Sequence, residues 1–250
     1  MLPTPAPITV IAAYRFVEID DGAALRDRLA AAALAGGLKG TVLIAPEGIN
    51  LTLAGAPAAI AAWLRGLQAD PRFATLELKS HGTAELPFKQ LKVKLKAEII
   101  RMNQPTVRPQ AGRAPAVDAA TLARWLDAGL CDAGREVVLL DTRNGFEVDA
   151  GAFEGAIVWR LAKFSDFPAA LQDHRAELQG KTVVSYCTGG IRCEKAVLLM
   201  REVGVENVLQ LEGGILQYFK EVGGQHFEGN CFVFDEREAL SDTLALAFPL

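Results

Sequence analysis

One stretch of the sequence, residues 183–200, joins an apolar strand to a helix through a short loop that begins with a cysteine. The residues before Cys187 are β-branched or aromatic, as in a buried strand. Downstream, Ala196, Leu199 and Met200 recur at helical spacing. Loop amides that lead into a helix, together with the positive end of the helix dipole, favour an anion. Because a thiolate is an anion, the stretch predicts a nucleophilic Cys187 with a lowered pKa.

The residues around Cys187 favour a reactive thiol over the usual buried one. A free cysteine in a strand is most often a small buried hydrophobe. Here glycines clear space for a substrate beside the sulfur, and an arginine adds a fixed positive charge. The predicted active-site loop consists of Thr188, Gly189, Gly190, Ile191 and Arg192.

Cys193 follows Cys187 by six residues, at the predicted start of the helix. It is a candidate second thiol that would resolve an oxidised Cys187. The sequence favours the plainer alternative, a small residue buried under the loop. Cys131 and Cys231 have no partner at metal-ligand spacing, so we interpret both as structural and expect no metal site.

The order of the predicted elements differs between the two halves of the chain. Strands at 8–17, 41–45, 49–53, 73–78 and 91–100, with helices at 21–35 and 57–69, give the order βαββαβ plus an extra strand. This order is typical of a ferredoxin-like α+β domain. In the second half, short apolar runs alternate with helices, which is typical of a parallel sheet covered on both faces. Ligands of such sheets bind at the carboxyl ends of the strands, where Cys187 lies.

These patterns predict two domains and a linker. The first domain is expected to span 1–102 and the parallel-sheet domain 117–225. Between them, 103–116 contains three prolines and is expected to be a semi-rigid linker. Residues 226–250 would form a C-terminal extension.

Composition favours a cytoplasmic protein without a membrane anchor. The start of the chain lacks the basic and apolar regions of a signal peptide. No run of about 18 apolar residues is present, so we expect no membrane span. Four cysteines in 250 residues are too few for a disulfide scaffold, which fits a reducing compartment.

A basic segment lies near the end of the first predicted domain, although the net charge of the chain is −4. Lysines alternate with apolar residues there, so they share one face of a strand. The usual explanation of such a row is a solvated face. The alternative is a positive band that holds RNA phosphates. The candidate tRNA-binding residues are Lys89, Lys92, Lys94, Lys96 and Arg101.

Three motifs of the second half resemble the rhodanese domain. They are Asp141-Thr142-Arg143 with Glu147, the loop from Cys187 to Arg192, and Leu211-Glu212-Gly213-Gly214-Ile215 with Tyr218. Six residues from Cys to Arg is the sulfurtransferase type of loop, since the related phosphatases have one more. From the residues themselves, we interpret Asp141, Arg143 and Glu147 as charges that hold the strand end and the following turn.

The resemblance extends over nearly the whole chain to one family, the rhodanese-type tRNA uridine hydroxylases. It rests on A-P-E-G-I-N at 45–50, L-K-V-K-L-K-A-E-I-I at 91–100, D-T-R-N at 141–144, C-T-G-G-I-R-C-E-K at 187–195 and G-N-C-F-V-F-D at 229–235. Residues 51–52 are Leu-Thr where the family usually has Gly-Thr, and the cysteine-rich tail of some longer relatives is not found.

The resemblance implies an oxidoreductase of tRNA processing that converts the wobble uridine to 5-hydroxyuridine with molecular oxygen. Cys187 would be its catalytic residue, and tRNA and oxygen its partners, with no obligate protein partner. No cofactor is evident, because the sequence contains neither a facial-triad pattern nor a dinucleotide fingerprint; the reductant is left open. The alternative is a sulfurtransferase in which Cys187 carries a persulfide.

Overall fold

The computed structural model describes residues 8–233 and 239–242, and it separates the chain into two compact units at Ile100. The first unit contains a five-stranded sheet in the order β4-β1-β3-β2-β5, in which only the β2–β5 pair is parallel. Its elements are β1 (Ile8–Phe16), α1 (Gly22–Ala35), β2 (Lys39–Ala45), β3 (Gly48–Gly55), α2 (Pro57–Gln68), β4 (Lys79–Thr83) and β5 (Leu91–Leu95). The predicted ferredoxin-like order with one extra strand is confirmed.

The two helices of this unit pack on one face of its sheet. Leu25 and Leu29 of α1 and Trp63 of α2 are buried against alternate strand residues such as Val42. The indole Nε1 of Trp63 donates a hydrogen bond to the carbonyl oxygen of Leu29 at 3.1 Å. This bond joins the two helices and satisfies the one polar atom that the indole buries.

The predicted strand at 73–78 is wrong. A short 3-10 helix, Pro71–Phe73, occupies its start, and the side chain of Asp70 accepts the backbone N–H of Arg72 at 3.1 Å. Phe73 is buried because this turn directs it into the core. The strand lies later, at Lys79–Thr83, and pairs with β1 at the edge of the sheet. It is polar and pairs through its backbone, so the sequence contains no alternation of apolar residues that would predict it.

The second unit contains a parallel sheet in the order β6-β11-β10-β7-β9. Its strands are β6 (Ala116–Val117), β7 (Val137–Asp141), β8 (Gly151–Phe153), β9 (Ile157–Val158), β10 (Thr182–Tyr186), β11 (Val208–Leu211), β12 (Phe227–Gly229), β13 (Cys231–Phe232) and β14 (Ala239–Leu240). Its helices are α3 (Ala119–Ala128), α4 (Gly145–Asp149), α5 (Phe167–His174), α6 (Ile191–Glu202) and α7 (Gly214–Glu221). Further short 3-10 helices are Pro109–Ala111, Phe164–Asp166 and Arg175–Leu178.

Helices cover both faces of this sheet, as predicted. Helices α3 and α7 pack against each other and share a core with Val184 and Tyr186 of β10. Helices α5 and α6 pack together, and α6 also packs on β10 and β11. Every residue of β10 is buried. Because successive strand residues point to opposite faces, both faces of the sheet are covered at this strand.

Parts of the predicted linker and C-terminal extension pair with the second unit. Strand β6 pairs with β11, and the carboxylate of Glu194 in α6 accepts the backbone N–H of Ala114 at 3.1 Å. Strand β12 pairs with β8. The domain bounds themselves stay a prediction, and Phe234 and Asp235 of the last motif lie outside the described residues. No helix within 8–233 or 239–242 is both long and apolar enough to cross a bilayer.

Candidate active site

The topology brings Cys187 to the middle of one edge of the parallel sheet. Strand β10 lies between β7 and β11, and Cys187 follows its last residue. Gly190, with φ +98°, turns the loop into α6, which begins at Ile191. The predicted arrangement of strand, cysteine loop and helix N-terminus is therefore present, with the sulfur at the carboxyl end of a central strand.

The N-terminus of α7 fixes the shape of this loop. The N–H of Ile215 donates to the carbonyl oxygen of Cys187 at 3.0 Å, and the N–H of Leu216 donates to that of Thr188 at 3.2 Å. With these carbonyl groups held by α7, the N–H of Gly190 is directed at Cys187 Sγ, at 3.1 Å. The loop thus presents a hydrogen-bond donor to the sulfur.

Gly214 is required by this close approach. Its φ is +67°, and a Cβ there would lie 2.8 Å from the nitrogen of Gly190 and 2.9 Å from the carbonyl oxygen of Thr188. A Cβ would also overlap the carbonyl oxygen of Cys187. The positive φ and the lack of space both exclude a side chain at this position. The second residue of the Gly213-Gly214 pair must therefore be glycine.

Arg192 is held by a buried ion pair that the sequence analysis did not predict. Its Nη1 and Nη2 donate to the two carboxylate oxygens of Glu147 at 2.6 and 2.7 Å, in the bidentate geometry of a strong pair. Glu147 is fully buried and also accepts the backbone N–H of Asn144 at 3.0 Å. One N–H of each terminal nitrogen is thereby used. Arg192 also interacts with Cys187, which favours a role beside the thiolate over the binding of a phosphate.

The charges around Cys187 favour its thiolate. Burial alone would raise the pKa of Cys187, but a hydrogen bond from the Cys193 thiol and the positive charge of Arg192 outweigh it. The backbone N–H groups of Arg192 and Gly190 act in the same direction, and the pKa lies well below its ordinary value. Although burial opposes the charge of Arg192 as well, Glu147 and Cys187 raise the pKa of this guanidinium.

Cys193 is fully buried in the first turn of α6, next to Cys187. Burial, the hydrogen bond to Cys187 and the negative charge of that sulfur raise the pKa of Cys193 well above its ordinary value. The hydroxyl of Thr142 lies 3.6 Å from Cys193 Sγ. These opposite shifts favour a thiolate at Cys187 and a protonated thiol at Cys193. Thr142 was not predicted to lie here.

Asp141 and Arg143 form a second buried ion pair, with Arg143 Nη2 2.6 Å from Asp141 Oδ2. Arg143 also donates to the carbonyl oxygen of Gly151 at 2.7 Å. These two residues tie the end of β7 to the following turn, as expected. Glu147 also holds this turn, through the N–H of Asn144, and its carboxylate in addition pairs with Arg192, which was not predicted.

The five candidate tRNA-binding residues, Lys89, Lys92, Lys94, Lys96 and Arg101, are all exposed. Lys92 and Lys94 share one face of β5, which is an edge strand of the first unit. Lysines on an edge strand also discourage pairing with other chains. The exposed basic row is confirmed, and RNA binding by it stays a prediction.

The other two cysteines differ in their distance from the site, and Cys231 interacts with Thr188 of the cysteine loop. The hydroxyl of Thr182 donates to Cys131 Sγ at 3.2 Å, away from the loop. Cys231 lies in β13, where burial raises the pKa of its thiol to about 12. In the described part of the chain, no three His, Cys, Asp or Glu residues are grouped so that they could hold a metal ion.

Comparison with protein families matches both units. Residues 8–99 match the model of the UPF0176 acylphosphatase like domain, and residues 119–221 match that of the rhodanese-like domain. The second match agrees with the fold predicted for this half, and the first agrees with the presence of a separate α+β domain before it.

Similarity to curated proteins covers nearly the whole chain. A protein of Variovorax paradoxus named tRNA uridine(34) hydroxylase is 63% identical over 94% of this chain and 89% of its own length. Proteins of the same name from Bordetella avium and Thiobacillus denitrificans are 60% and 59% identical over 95% of this chain, and the matches cover 98% and 96% of their lengths. With both units matched and the cysteine loop intact, this chain belongs to the family of the tRNA uridine(34) hydroxylases.

Proposed function

We propose that this protein converts uridine 34 of tRNA, the wobble uridine, to 5-hydroxyuridine with molecular oxygen. The observation that carries the proposal is the Cys187 sulfur, which accepts the N–H of Gly190 at 3.1 Å beside the buried Arg192–Glu147 pair. The reaction would make the protein a monooxygenase-type oxidoreductase. Its partners would be tRNA and oxygen, without a membrane or an obligate protein partner, in the cytoplasm.

The chemistry follows from the polarity of the uracil ring. The C6 position of uracil is electrophilic, so the Cys187 thiolate can add to it. The addition places electron density on C5, the carbon that is to be hydroxylated, and on the oxygen of C4. The loop N–H groups and Arg192 are suited to stabilise the thiolate before the attack and an oxyanion on the base after it.

A sulfurtransferase is the second candidate, because the match to the rhodanese-like domain at residues 119–221 favours it. The same stabilised thiolate would attack a sulfur donor and carry the transferred sulfur as a persulfide. This activity makes no use of the first unit with its exposed lysine row. The names of the whole-chain relatives also favour the hydroxylase.

Nucleoside analysis separates the two candidates. Purified protein is incubated with tRNA that lacks the wobble modification, in air and without oxygen, and the nucleosides are identified by mass spectrometry. We expect 5-hydroxyuridine in air only, at position 34. A sulfur-containing nucleoside, or persulfide transfer from thiosulfate without any hydroxylation, would favour the sulfurtransferase instead.

The lysine row of β5 is proposed to bind tRNA phosphates. Replacing both Lys92 and Lys94 by Glu should weaken tRNA binding by about tenfold or more. It should also reduce the slope of log Kd against log salt concentration by the amount that about two phosphate contacts contribute. Filter binding over a range of salt concentrations measures both. The double variant of Lys163 and Lys220 to Glu is the control, since it changes the net charge equally at exposed positions in the second unit. Equal loss in both variants would show a general charge effect.

A further inference from the structure

Two buried cysteines, Cys187 and Cys193, lie at the two ends of the cysteine loop. Both residues are completely buried. Cys187 Sγ accepts the N–H of Gly190 at 3.1 Å, and the backbone N–H of Cys193 donates to the carbonyl oxygen of the same glycine at 3.0 Å, so both cysteines are held around Gly190. Cys187 directly follows β10 and Cys193 is in the first turn of α6, six residues further along the chain. The proposed attack on uracil uses only Cys187, so it assigns no chemical role to Cys193.

We infer that Cys187 and Cys193 act as a dithiol that supplies two electrons to oxygen in each turnover and ends as a disulfide. The inference rests on the proposed function, because hydroxylation places one oxygen atom of O₂ on C5 and must reduce the other to water. That reduction takes two electrons, which is the number released when two thiols form a disulfide.

The atoms and electrons of this step balance. The C5–H group, O₂, the thiolate, the thiol and one proton give C5–OH, water and the disulfide. Once C5 carries a peroxide, the Cys193 sulfur breaks the O–O bond and takes the outer oxygen as a sulfenic acid, and the inner oxygen stays on C5. Loss of the C5 proton and of Cys187 from C6 then restores the double bond. The freed Cys187 thiolate displaces hydroxide from Cys193, and the disulfide forms.

The surroundings of the two sulfurs favour the states that this reaction needs at its start. The Cys193 thiol, the charge of Arg192 and the loop amides lower the pKa of Cys187, as the attack on C6 requires. Cys193 is protonated, so its hydrogen bond supports the thiolate, and Thr142 contacts its sulfur at 3.6 Å. The competing role for Cys193 is this hydrogen bond alone, without oxidation. Serine separates the two, because its hydroxyl donates a hydrogen bond but has no sulfur to oxidise.

The test is a single turnover of the full chain in air. Reduced protein, freed of reductant, is mixed with tRNA that lacks the wobble modification. We expect one 5-hydroxyuridine and one disulfide per protein molecule, and repeated turnover once dithiothreitol is added. Trypsin cuts after Lys181, Arg192 and Lys195, so the disulfide would join peptide 182–192 to peptide 193–195. Mass spectrometry after alkylation of the free thiols detects this linked pair.

Two variants complete the experiment. Cys193→Ser should form no stoichiometric product without dithiothreitol and yet keep the ultraviolet thiolate absorbance of Cys187 at neutral pH. Cys131→Ser, a buried cysteine outside the loop, should behave as the wild type. Full product from Cys193→Ser, product from the wild type without a disulfide, or a disulfide to Cys231 would overturn the inference. No product from the wild type even with dithiothreitol would refute the proposed function, and the inference with it.

Discussion

Replacement of Cys187 by serine is expected to slow the formation of 5-hydroxyuridine by a factor on the order of 10³ or more. The surroundings of Cys187 stabilise an anion, but an alcohol is a much weaker acid than a thiol and stays protonated there. Arg192 and the N–H of Gly190 then face a neutral hydroxyl group. The variant should still fold, because serine is slightly smaller than cysteine. Single-turnover nucleoside analysis measures the loss.

The titration of the thiolate provides an independent readout. Because the pKa of Cys187 is lowered, its ultraviolet thiolate absorbance should persist as the pH falls well below the range in which ordinary thiols ionise. It should disappear only when the pH passes through that lowered pKa, and it should be missing from Cys187→Ser throughout. Cys131→Ser is again the control, and it measures the thiolate absorbance of Cys131, whose pKa is lowered by the hydroxyl of Thr182. A Cys187→Ser protein that keeps the wild-type rate would rule out Cys187 as the nucleophile.

Replacement of Glu147 by glutamine is expected to lower the free energy of unfolding by about 3–5 kcal/mol. The carboxylate is fully buried and accepts two bonds from Arg192 and one from the N–H of Asn144. A glutamine amide is neutral, so it leaves the buried guanidinium without its counter-charge. It also accepts hydrogen bonds through one oxygen only, whereas the carboxylate has two. Denaturant unfolding followed by tryptophan fluorescence, to which Trp125 and Trp159 of the second unit contribute, measures the change.

The same short helix offers the control. Asp149, two residues after Glu147 on α4, pairs with Arg160 at 2.8 Å, but both side chains are more than half exposed. Asp149→Asn removes the same charge from an ion pair in water, so it should cost less than about 1 kcal/mol. If the two variants lose equal stability, the buried Glu147–Arg192 pair contributes no more to the free energy of unfolding than an exposed ion pair does.

Local patterns were sufficient to predict the elements that build the site. The apolar run before Cys187, the glycines after it and the helical spacing up to Met200 predicted β10, the loop and α6 in their observed order. The two classes of fold followed from the different alternation of strands and helices in the two halves. Strand β4 was misplaced, because a polar edge strand needs only backbone bonds and carries no apolar pattern.

Contacts between distant segments could not be predicted in the same way. Glu147 and Arg192 are 45 residues apart, and the spacing of charges in the sequence does not say which acid meets which base. Thr142 reaches Cys193 only because β7 and β10 are neighbours in the sheet. The protonation states of the two thiols depend on these contacts as well, so the sequence alone left the role of Cys193 open.

The hold of α7 on the loop carbonyls makes the acidity of Cys187 a property of the finished domain. A ribosome completes residues 214–216 well after Cys187 has been synthesised, and until they dock, nothing turns the Gly190 amide toward the sulfur. The charge of Arg192 is positioned by Glu147, which is likewise brought to the loop only by the fold. A nascent or partly unfolded chain therefore lacks the contacts that lower the pKa of Cys187. The reactive thiolate therefore forms only in the folded domain, and chains that are still being synthesised do not expose a reactive sulfur to the cell.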